Sequence, residues 1–207
     1  MAGPSPSELE VRLVSRDHAV AVVSVLTDAY ALERTFNGLF AGHRPRFQQR
    51  LRAFMREYTR FHLDDNQSLL ALIHEGRVIG AALFCAPGAH RLQRFSARSQ
   101  LALLSTVGVR GAVRYLRYQS ALKASMPDSE WCFMPLVGVL REFQGQGYGR
   151  RLLEHAWSLS CDMPESSGIA LGSGAGQAQA FYRGLGFQPV GELDFRGTRE
   201  TFFFKAS

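Results

Sequence analysis

The chain has 207 residues, of which 46% are hydrophobic and 20% charged, and it carries a formal net charge of +6. This composition is ordinary for a globular protein and excludes a fibrous or wholly disordered chain. The length suits a single domain over residues 1–207 that buries a core without metals or disulfides. No apolar run approaches the length of a membrane span, so we expect no membrane partner.

The first residues and the cysteines indicate the compartment. Residues 1–7 are rich in Pro and Ser and lack the basic and apolar regions of a secretory signal. We therefore expect a short disordered lead and a cytoplasmic protein. Cys85, Cys132 and Cys161 are widely spaced, without C-x-x-C pairs or paired histidines. This spacing predicts buried free thiols in a reducing compartment and no metal site.

Hydrophobic periodicity predicts the elements of the first half of the chain. In order, they are a strand over 8–15, a helix over 15–30, a loop over 37–46, a helix over 47–61 and a hairpin of strands 67–73 and 77–85. Ser15-Arg16-Asp17 is typical of a helix cap, and Glu75-Gly76 of a hairpin turn. Both helices are amphipathic, and their predicted inward residues are Val20, Val23, Leu26 and Ala29, then Leu51, Phe54, Met55 and Tyr58.

Residues 94–125 are predicted to be mostly helical, with a break near Gly108 and Gly111. The segment carries several basic residues on its outer side, namely Arg98, Arg110, Arg114, Arg117 and Lys123. These residues either form a solvated face or belong to a lid that recognises an acidic substrate. We favour the solvated face, and we expect the segment as a whole to shape a binding pocket.

Residues 131–160 combine three patterns that together are typical of a site for a polyanion. Residues 131–140 are an apolar run typical of a buried strand, and residues 150–160 have the spacing of an amphipathic helix. Between them, glycines alternate at Gly145, Gly147 and Gly149 and leave the backbone uncovered. The first N–H groups of a helix have no internal partner and lie at the positive end of its dipole. The stretch therefore predicts a phosphate or diphosphate ligand.

The spacing of these glycines distinguishes between kinds of phosphate loop. A Walker A loop requires Lys-Ser/Thr after its last glycine, where this chain has Arg150 and Arg151. A dinucleotide-binding loop requires glycine at position 150. The sequence from Gln144 to Gly149, QGQGYG, instead fills the pattern Q/R-x-x-G-x-G/A. It resembles the GNAT superfamily, the acyl-coenzyme A-dependent N-acetyltransferases.

A second stretch carries the same resemblance. Residues 178–187 read AQAFYRGLGF, which is similar to the A-x-x-F-Y-x-x-L-G-F sequence of the family. A strand over 168–171, a helix over 177–184 and a hairpin of strands 187–195 and 199–205 complete the order of elements. The resemblance implies a mixed α/β (α+β) fold, in which a twisted, mainly antiparallel sheet has helices on both faces and splayed central strands.

The resemblance also implies the ligand and its contacts. Acetyl-CoA is the expected co-substrate, with its pantetheine arm along the exposed edge of the strand at Val137, Gly138 and Val139. A backbone N–H near Val139 or Leu140 would polarise the thioester carbonyl. The other implied coenzyme-binding residues are Gln144, Gly145, Gln146, Gly147, Tyr148, Gly149, Arg150, Ala178 and Phe181.

Candidate catalytic residues are Tyr182 and Glu130. Tyr182 matches the tyrosine that lies beside the sulfur in many relatives, and a phenol is similar in basicity to a thiolate, so we expect a general acid. No motif identifies the general base. Glu130, at the start of the ligand strand, is our first choice, and His90 and Glu142 are alternatives.

Two positions depart from the family pattern. Ala175 stands where many relatives carry an Asn that helps to fix the pantetheine, and Arg141 stands where they often carry Pro. Neither change removes the phosphate site, but the loss of the Asn at Ala175 leaves open a non-catalytic, acyl-CoA-binding function.

The sequence therefore predicts an N-acetyltransferase that transfers an acetyl group to the primary amine of a small molecule by direct attack in a ternary complex. The alternative is a non-catalytic acyl-CoA-binding regulatory module. A basic chain also attracts nucleic acid, but without a helix-turn-helix or stacking-aromatic pattern we expect no specific nucleic-acid partner. The sequence is compatible with a homodimer.

Overall fold

The computed structural model describes residues 9–40, 42–43, 45–88, 104–105, 108–117, 120, 124, 130–174, 176–195 and 198–207. Its strands are β1 (Leu9–Val14), β2 (Ser68–His74), β3 (Arg77–Cys85), β4 (Cys132–Val139), β5 (Gly168–Ser173), β6 (Gln188–Phe195) and β7 (Thr198–Ala206). Its helices are α1 (Ala19–Ala29), α2 (Arg34–Leu39), α3 (Phe47–Asp64), α4 (Tyr148–Cys161) and α5 (Gly176–Gly184). Residues 108–117 are also helical, and 3-10 turns occupy Arg16–His18 and Arg141–Phe143.

The strands form one open sheet in the order β1-β2-β3-β4-β5-β7-β6. Neighbouring strands run antiparallel except β4 and β5, which are parallel. These two strands pair only from Cys132↔Ile169 to Met134↔Leu171, although β4 continues to Val139. Their edges separate beyond Met134. The predicted mixed, mainly antiparallel sheet with splayed central strands is therefore confirmed.

Helices cover both faces of the sheet, as predicted. On one face, α1 and α3 pack on β2 and β3, with Leu26, Leu51 and Phe54 fully or almost fully buried. On the other face, α4 packs on alternate residues of the same strands and α5 packs on β5, with Leu152 and Tyr182 in the core. Successive strand residues point to opposite faces, so one strand supplies both cores. Each fully buried Leu or Phe contributes roughly 2 kcal/mol to stability.

Two details of the first half differ from the prediction. The helix α2 overlaps the predicted loop, because six residues are too few to show a helical period and its start depends on a cap. That cap is Glu33, whose Oε2 accepts the Phe36 N–H at 2.9 Å. Val20 is 75% exposed rather than inward, since a 3-10 turn precedes α1 and shifts its buried face to Val22, Val23, Val25 and Leu26.

Other predictions concern the remaining helices. The inward face of α3 is confirmed, since Leu51, Phe54, Met55 and Tyr58 are buried. Residues 108–117 are helical, Gly108 has a φ of 72°, and Gly111 continues the helix instead of breaking it. The lead over 1–7 and much of the 94–125 segment lie outside the described residues. Within the described residues, no helix has both the length and the apolar character needed to span a membrane.

Candidate active site

The predicted glycine loop connects β4 to α4. Gly145 and Gly147 have φ values of 77° and 85°, a conformation that residues with a Cβ rarely adopt. Gly147 is the N-cap of α4, and no side chain caps the helix. A Cβ added to either glycine would meet no atom within 4 Å, so the backbone faces open space. The loop therefore leaves the start of α4 uncovered.

The start of α4 has the properties that an anionic ligand requires. The N–H groups of Tyr148, Gly149 and Arg150 lie in the first turn, where a helix offers no internal acceptor. Arg151 is the first residue whose N–H bonds within the helix, to the Gly147 carbonyl at 3.3 Å. The positive end of the helix dipole adds to the attraction for a phosphate.

A groove of about 750 Å³, which we call the loop groove, runs beside this helix start. Its lining includes most of the predicted coenzyme-binding residues, namely Val137, Gly138, Val139, Gln144, Gly145, Gly147, Gly149, Arg150, Ala178 and Phe181, together with Leu153 and Tyr182. Two predicted residues do not line it. The Gln146 amide donates to the Glu142 carbonyl at 3.3 Å, and the Tyr148 ring centroid lies 5.9 Å from that of His74.

The splayed edge of β4 borders the groove, and one tyrosine occupies part of this edge. The Tyr30 hydroxyl lies 3.2 Å from both the nitrogen and the oxygen of Val137, accepting from one and donating to the other. Strand residues alternate in direction, so Val139 faces the same side as Val137. The Leu140 N–H instead donates to Ile79 on β3 at 2.8 Å. Of the two amides considered from sequence, the Val139 N–H therefore faces the splayed side and Leu140 does not.

A cavity of about 180 Å³, which we call the acidic cavity, adjoins the loop groove. Its carboxylates are Glu33, the N-cap of α2, and Glu200 of β7, which is 4% exposed. The Thr35 hydroxyl donates to Glu200 Oε2 at 2.5 Å. Glu33 Oε1 is buried and has no hydrogen-bond partner among the described residues. The cavity is otherwise lined mainly by aromatic and small residues, among them Tyr30, Phe36, Phe54, Tyr58, Tyr115, Phe133, Ser173 and Gly174.

The two carboxylates of the acidic cavity are close together. A Cβ added to Gly174 would lie 2.8 Å from Glu33 Oε1 and 2.9 Å from Glu200 Oε2, so these oxygens are less than about 6 Å apart. Among the described residues that line the cavity there is no Lys, Arg or His. Two carboxylates at this distance repel each other, and a cation between them relieves the repulsion. The cavity therefore favours an ammonium group.

Tyr182 lines both the loop groove and the acidic cavity. Burial, and then the negative charge of Glu200, raise the pKa of Tyr182 to about 12, although a hydrogen bond with Ser173 opposes the rise. The Tyr182 ring packs against Phe203, with the ring centroids 5.3 Å apart. The phenol therefore keeps its proton at neutral pH, and its position is fixed where the two spaces meet.

The candidate bases Glu130 and Glu142 do not lie at this site. Glu130 lies beside Gly88, before the start of β4, and lines neither space. Because the seven residues from Glu130 to Val137 span roughly 23 Å of extended chain, Glu130 is far from the part of β4 that borders the loop groove. Glu142 pairs with Arg77 at 2.6 Å on the surface, and His90 lies outside the described residues.

The cysteines are not placed for covalent catalysis. Cys132 Sγ lies 3.6 Å from both Met163 Sδ and Ser166 Oγ and lines neither space. Burial raises the pKa of the Cys132 thiol, which makes it less reactive. Cys85 is also buried, but Cys161 is exposed, so the prediction of buried thiols is wrong for the third cysteine.

Arg141, at the position where relatives often have Pro, uses the N–H that proline lacks. This N–H donates to Asp28 Oδ2 at 2.8 Å, and the guanidinium donates to Oδ1 at 3.0 Å. Burial raises the pKa of Asp28, but the hydrogen bonds and charge of Arg141 outweigh it, so the net pKa is lowered. The departure from the family thus ties the end of α1 to the segment after β4. The other departure, Ala175, lies outside the described residues.

The sequence reasoning missed the two carboxylates of the acidic cavity. Glu200 gave a signal that could have been used, since it lies two residues before Phe202 in β7 and so shares a buried face with it. A carboxylate on such a face requires a partner or a ligand. Glu33 gave no comparable signal, because its role as the cap of α2 depends on a helix that the periodicity does not show.

Comparison with known proteins identifies the family. Residues 65–189 match the family model described as "Acetyltransferase (GNAT) domain". This match covers more than half of the chain, and the protein therefore belongs to the GNAT acetyltransferases. As a member of this family it is an N-acetyltransferase that uses acetyl-CoA. No curated protein matches the sequence.

Solved structures show the same fold. A Corynebacterium glutamicum protein described as "histone acetyltransferase HPA2 and related acetyltransferase" has a TM-score of 0.71 and 22% identity, over 96% of each chain. Mosquito arylalkylamine N-acetyltransferase like 5b has a TM-score of 0.60 and 13% identity, over 97% of this chain and 100% of that chain. Drosophila melanogaster polyamine N-acetyltransferase has a TM-score of 0.58 and 15% identity, over 97% of this chain and 100% of that chain. At such identities the likeness establishes the fold alone, and the acceptors in these descriptions differ.

Proposed function

We propose that the protein transfers the acetyl group of acetyl-CoA to the primary amine of a small molecule by direct attack in a ternary complex. The observation that carries the proposal is the position of Tyr182, which lines both the loop groove and the acidic cavity. A donor in the groove and an amine in the cavity meet at this side chain. Direct transfer requires such a meeting point, because the reacting atoms have to be held in contact.

The loop groove has the chemistry to hold the donor. The uncovered start of α4 offers N–H groups to the diphosphate of coenzyme A, and the splayed edge of β4 offers the Val139 N–H. When bound, acetyl-CoA supplies an acetyl thioester. The Val139 N–H polarises the thioester carbonyl, and the loss of one such donor typically raises the barrier by about 3 kcal/mol.

The acidic cavity supplies the base that the sequence did not identify. The Glu33 and Glu200 carboxylates bind the amine as its ammonium ion, and one of them then takes a proton so that the nitrogen gains a free electron pair. We assign this proton transfer to Glu200, because it is almost fully buried and its charge acts on Tyr182. The Glu33 carboxylate holds the amine in place.

Tyr182 completes the proton balance. The amine nitrogen forms a bond to the acetyl carbon, the C–S bond breaks, and the sulfur takes the proton of the phenol. The nitrogen then gives up its second proton, which restores the phenol, and the first proton leaves Glu200 for water. While Glu200 holds that first proton, its charge no longer raises the pKa of Tyr182, so the phenol is a better acid at the step that uses it.

The acidic cavity also argues against the non-catalytic alternative, because a module that only binds acyl-CoA needs no charged second cavity beside the donor. A cytoplasmic location, a single domain over 1–207, a homodimer and the lack of nucleic-acid and membrane partners stay predictions.

Substitution of Tyr182 by Phe tests the proposal. We expect kcat to fall by about 100-fold, because general acid catalysis typically contributes that much, while coenzyme A affinity stays within about threefold. The measurement is thiol release from acetyl-CoA with an amine panel, together with calorimetry of coenzyme A binding. Tyr148→Phe is the control, since the Tyr148 side chain lines neither space and the substitution keeps the backbone N–H. An unchanged kcat in Tyr182→Phe, or no thiol release by the native protein with any amine, would contradict the proposal.

A further inference from the structure

Aromatic side chains form a large part of the walls of the acidic cavity. Phe54 of α3 lies at the centre of a cluster, with ring centroids 5.7 Å from Phe36, 5.5 Å from Tyr58 and 5.5 Å from Tyr115. All four rings line the cavity. Ring faces and edges provide a large apolar contact area, and they pack well against another ring at such distances.

The charge of the cavity lies in the region of Tyr182. Glu33 and Glu200 converge on Gly174, and both carboxylates act on the Tyr182 phenol. Thr35 is hydrogen-bonded to Glu200 in the same region. The described lining thus has two chemically different parts, an anionic part beside the transfer point and an aromatic part around Phe54.

The size of the cavity limits what the aromatic part can hold. A cavity of about 150 Å³ holds one benzene molecule, and the acidic cavity has a volume of about 180 Å³. One aromatic ring with a short alkyl arm fills this space. A branched chain of several sugar rings does not.

We infer that the acceptor is an arylalkylamine, that is, a primary monoamine joined to one aromatic ring by a short alkyl arm and carrying no carboxylate. This inference rests on the proposed function and names its substrate class. The ammonium group binds between Glu33 and Glu200, and the ring packs beside Phe54. A carboxylate on the arm is repelled by the two glutamates. A diamine would place its second ammonium group in the aromatic part of the cavity. There the group loses its hydration, and no described residue offers it a carboxylate in exchange.

A panel of amines tests the substrate class. The compounds are 2-phenylethylamine, phenylalanine, 1,5-diaminopentane and an aminoglycoside, each assayed for thiol release from acetyl-CoA. We expect kcat/KM for 2-phenylethylamine to exceed that for phenylalanine by at least 100-fold and that for 1,5-diaminopentane by at least tenfold. An equal or higher value for any of the other three compounds overturns the inference and leaves the proposed function standing.

Direct binding separates the two proposals. Calorimetry of 2-phenylethylamine with the protein saturated with coenzyme A measures amine binding alone, because coenzyme A has no acetyl group to transfer. Binding of 2-phenylethylamine without acetylation of any amine contradicts the proposed function, and the inference that rests on it falls with it. Neither binding nor acetylation of 2-phenylethylamine overturns the inference.

Two phenylalanines provide a matched pair of variants. Phe54 lines the cavity, whereas Phe40 is equally buried in the same cluster, with its ring centroid 4.7 Å from Phe54, and does not line the cavity. We expect Phe54→Leu to reduce the preference for 2-phenylethylamine over hexylamine by at least tenfold. Phe40→Leu leaves this ratio within threefold of the native value. Equal ratios in the two variants overturn the inference, and because each ratio is internal to one variant, a shared loss of stability does not affect it.

Discussion

The loop groove and the acidic cavity adjoin at Tyr182 but are built in different ways. The groove depends mainly on backbone, since its central features are the glycine loop, the start of α4 and the splayed edge of β4. These features come from one continuous stretch, residues 137–150. The cavity depends on side chains from α2, α3, the 108–117 helix, β4, α5 and β7, which are far apart in the sequence.

The difference indicates how each space recognises its ligand. Backbone N–H groups at a helix start bind a diphosphate whatever the neighbouring side chains are, so the groove suits a ligand common to a whole family. Side chains that meet only in the folded protein define a charge and a shape, so the cavity suits a ligand particular to this chain. Substitutions that act on backbone geometry, on a cavity side chain and on a surface side chain should therefore have graded effects.

The largest effect is expected for Gly147→Val, which acts on the backbone of the groove. Valine is strained at a φ of 85°, and its side chain would enter the open space where the ligand approaches. We expect the dissociation constant for coenzyme A to rise by more than about 100-fold, since backbone strain of this kind costs on the order of 1–3 kcal/mol and phosphate contacts are lost as well. Calorimetry with coenzyme A measures the change.

Gly149→Ala is the control for this variant. A Cβ on Gly149 would lie 3.6 Å from Phe181, an ordinary contact, so coenzyme A affinity should change by less than about threefold. If Gly147→Val bound coenzyme A as tightly as the native protein, the groove would not depend on its backbone, and the comparison of the two spaces would fail.

An intermediate effect is expected for Glu200→Gln, which acts on the cavity. Glutamine keeps the size of the side chain and can still accept the Thr35 hydrogen bond, but it cannot take a proton from the amine. We expect kcat to fall by about 100-fold, at the lower end of the range for general base catalysis, with coenzyme A affinity within twofold. Steady-state kinetics with acetyl-CoA and a reactive amine provide the measurement.

Glu192→Gln serves as the matched control, because Glu192 lies on β6 and is exposed beside Arg199. Its kinetics should equal those of the native protein. A Glu200→Gln variant with native kcat would show that the cavity carboxylate is not the base.

The smallest effect is expected for Asp28→Asn, a side chain near the groove that does not line it. The Asp28–Arg141 pair is partly exposed, with 29% and 50% of the side-chain surfaces accessible, and such pairs contribute at most about 1 kcal/mol. We expect the KM for acetyl-CoA to rise by less than about threefold. A rise of more than tenfold would show that side chains of α1 position the loop, and would weaken the distinction between a backbone site and a side-chain site.

The sequence predicts the strands, the glycine loop and most of the groove because these features depend on local patterns. The strands around Leu70 and Leu83 have short apolar runs, and the loop has its glycines at fixed spacing. The splay of β4 and β5 was implied by the family resemblance and is confirmed by the end of their pairing at Met134.

The acidic cavity could not be predicted in the same way. Glu33 and Glu200 are separated by most of the chain and meet only because α2 packs near β7. Glu130 was chosen for its closeness in sequence to the ligand strand, but the length of that strand takes it away from the splayed edge. Local patterns contain no information on such distances, so the choice of base required the fold.

The hydroxyl of Tyr30 has a consequence for the solubility of the donor-free enzyme. A strand edge with unpaired N–H and C=O groups can add a strand from another chain, which leads to aggregation. Such an edge lies in the middle of this sheet, where β4 leaves β5. Tyr30, the C-cap of α1, bonds both polar groups of Val137 on this edge. One side chain thereby protects the opening against intermolecular pairing without closing the sheet.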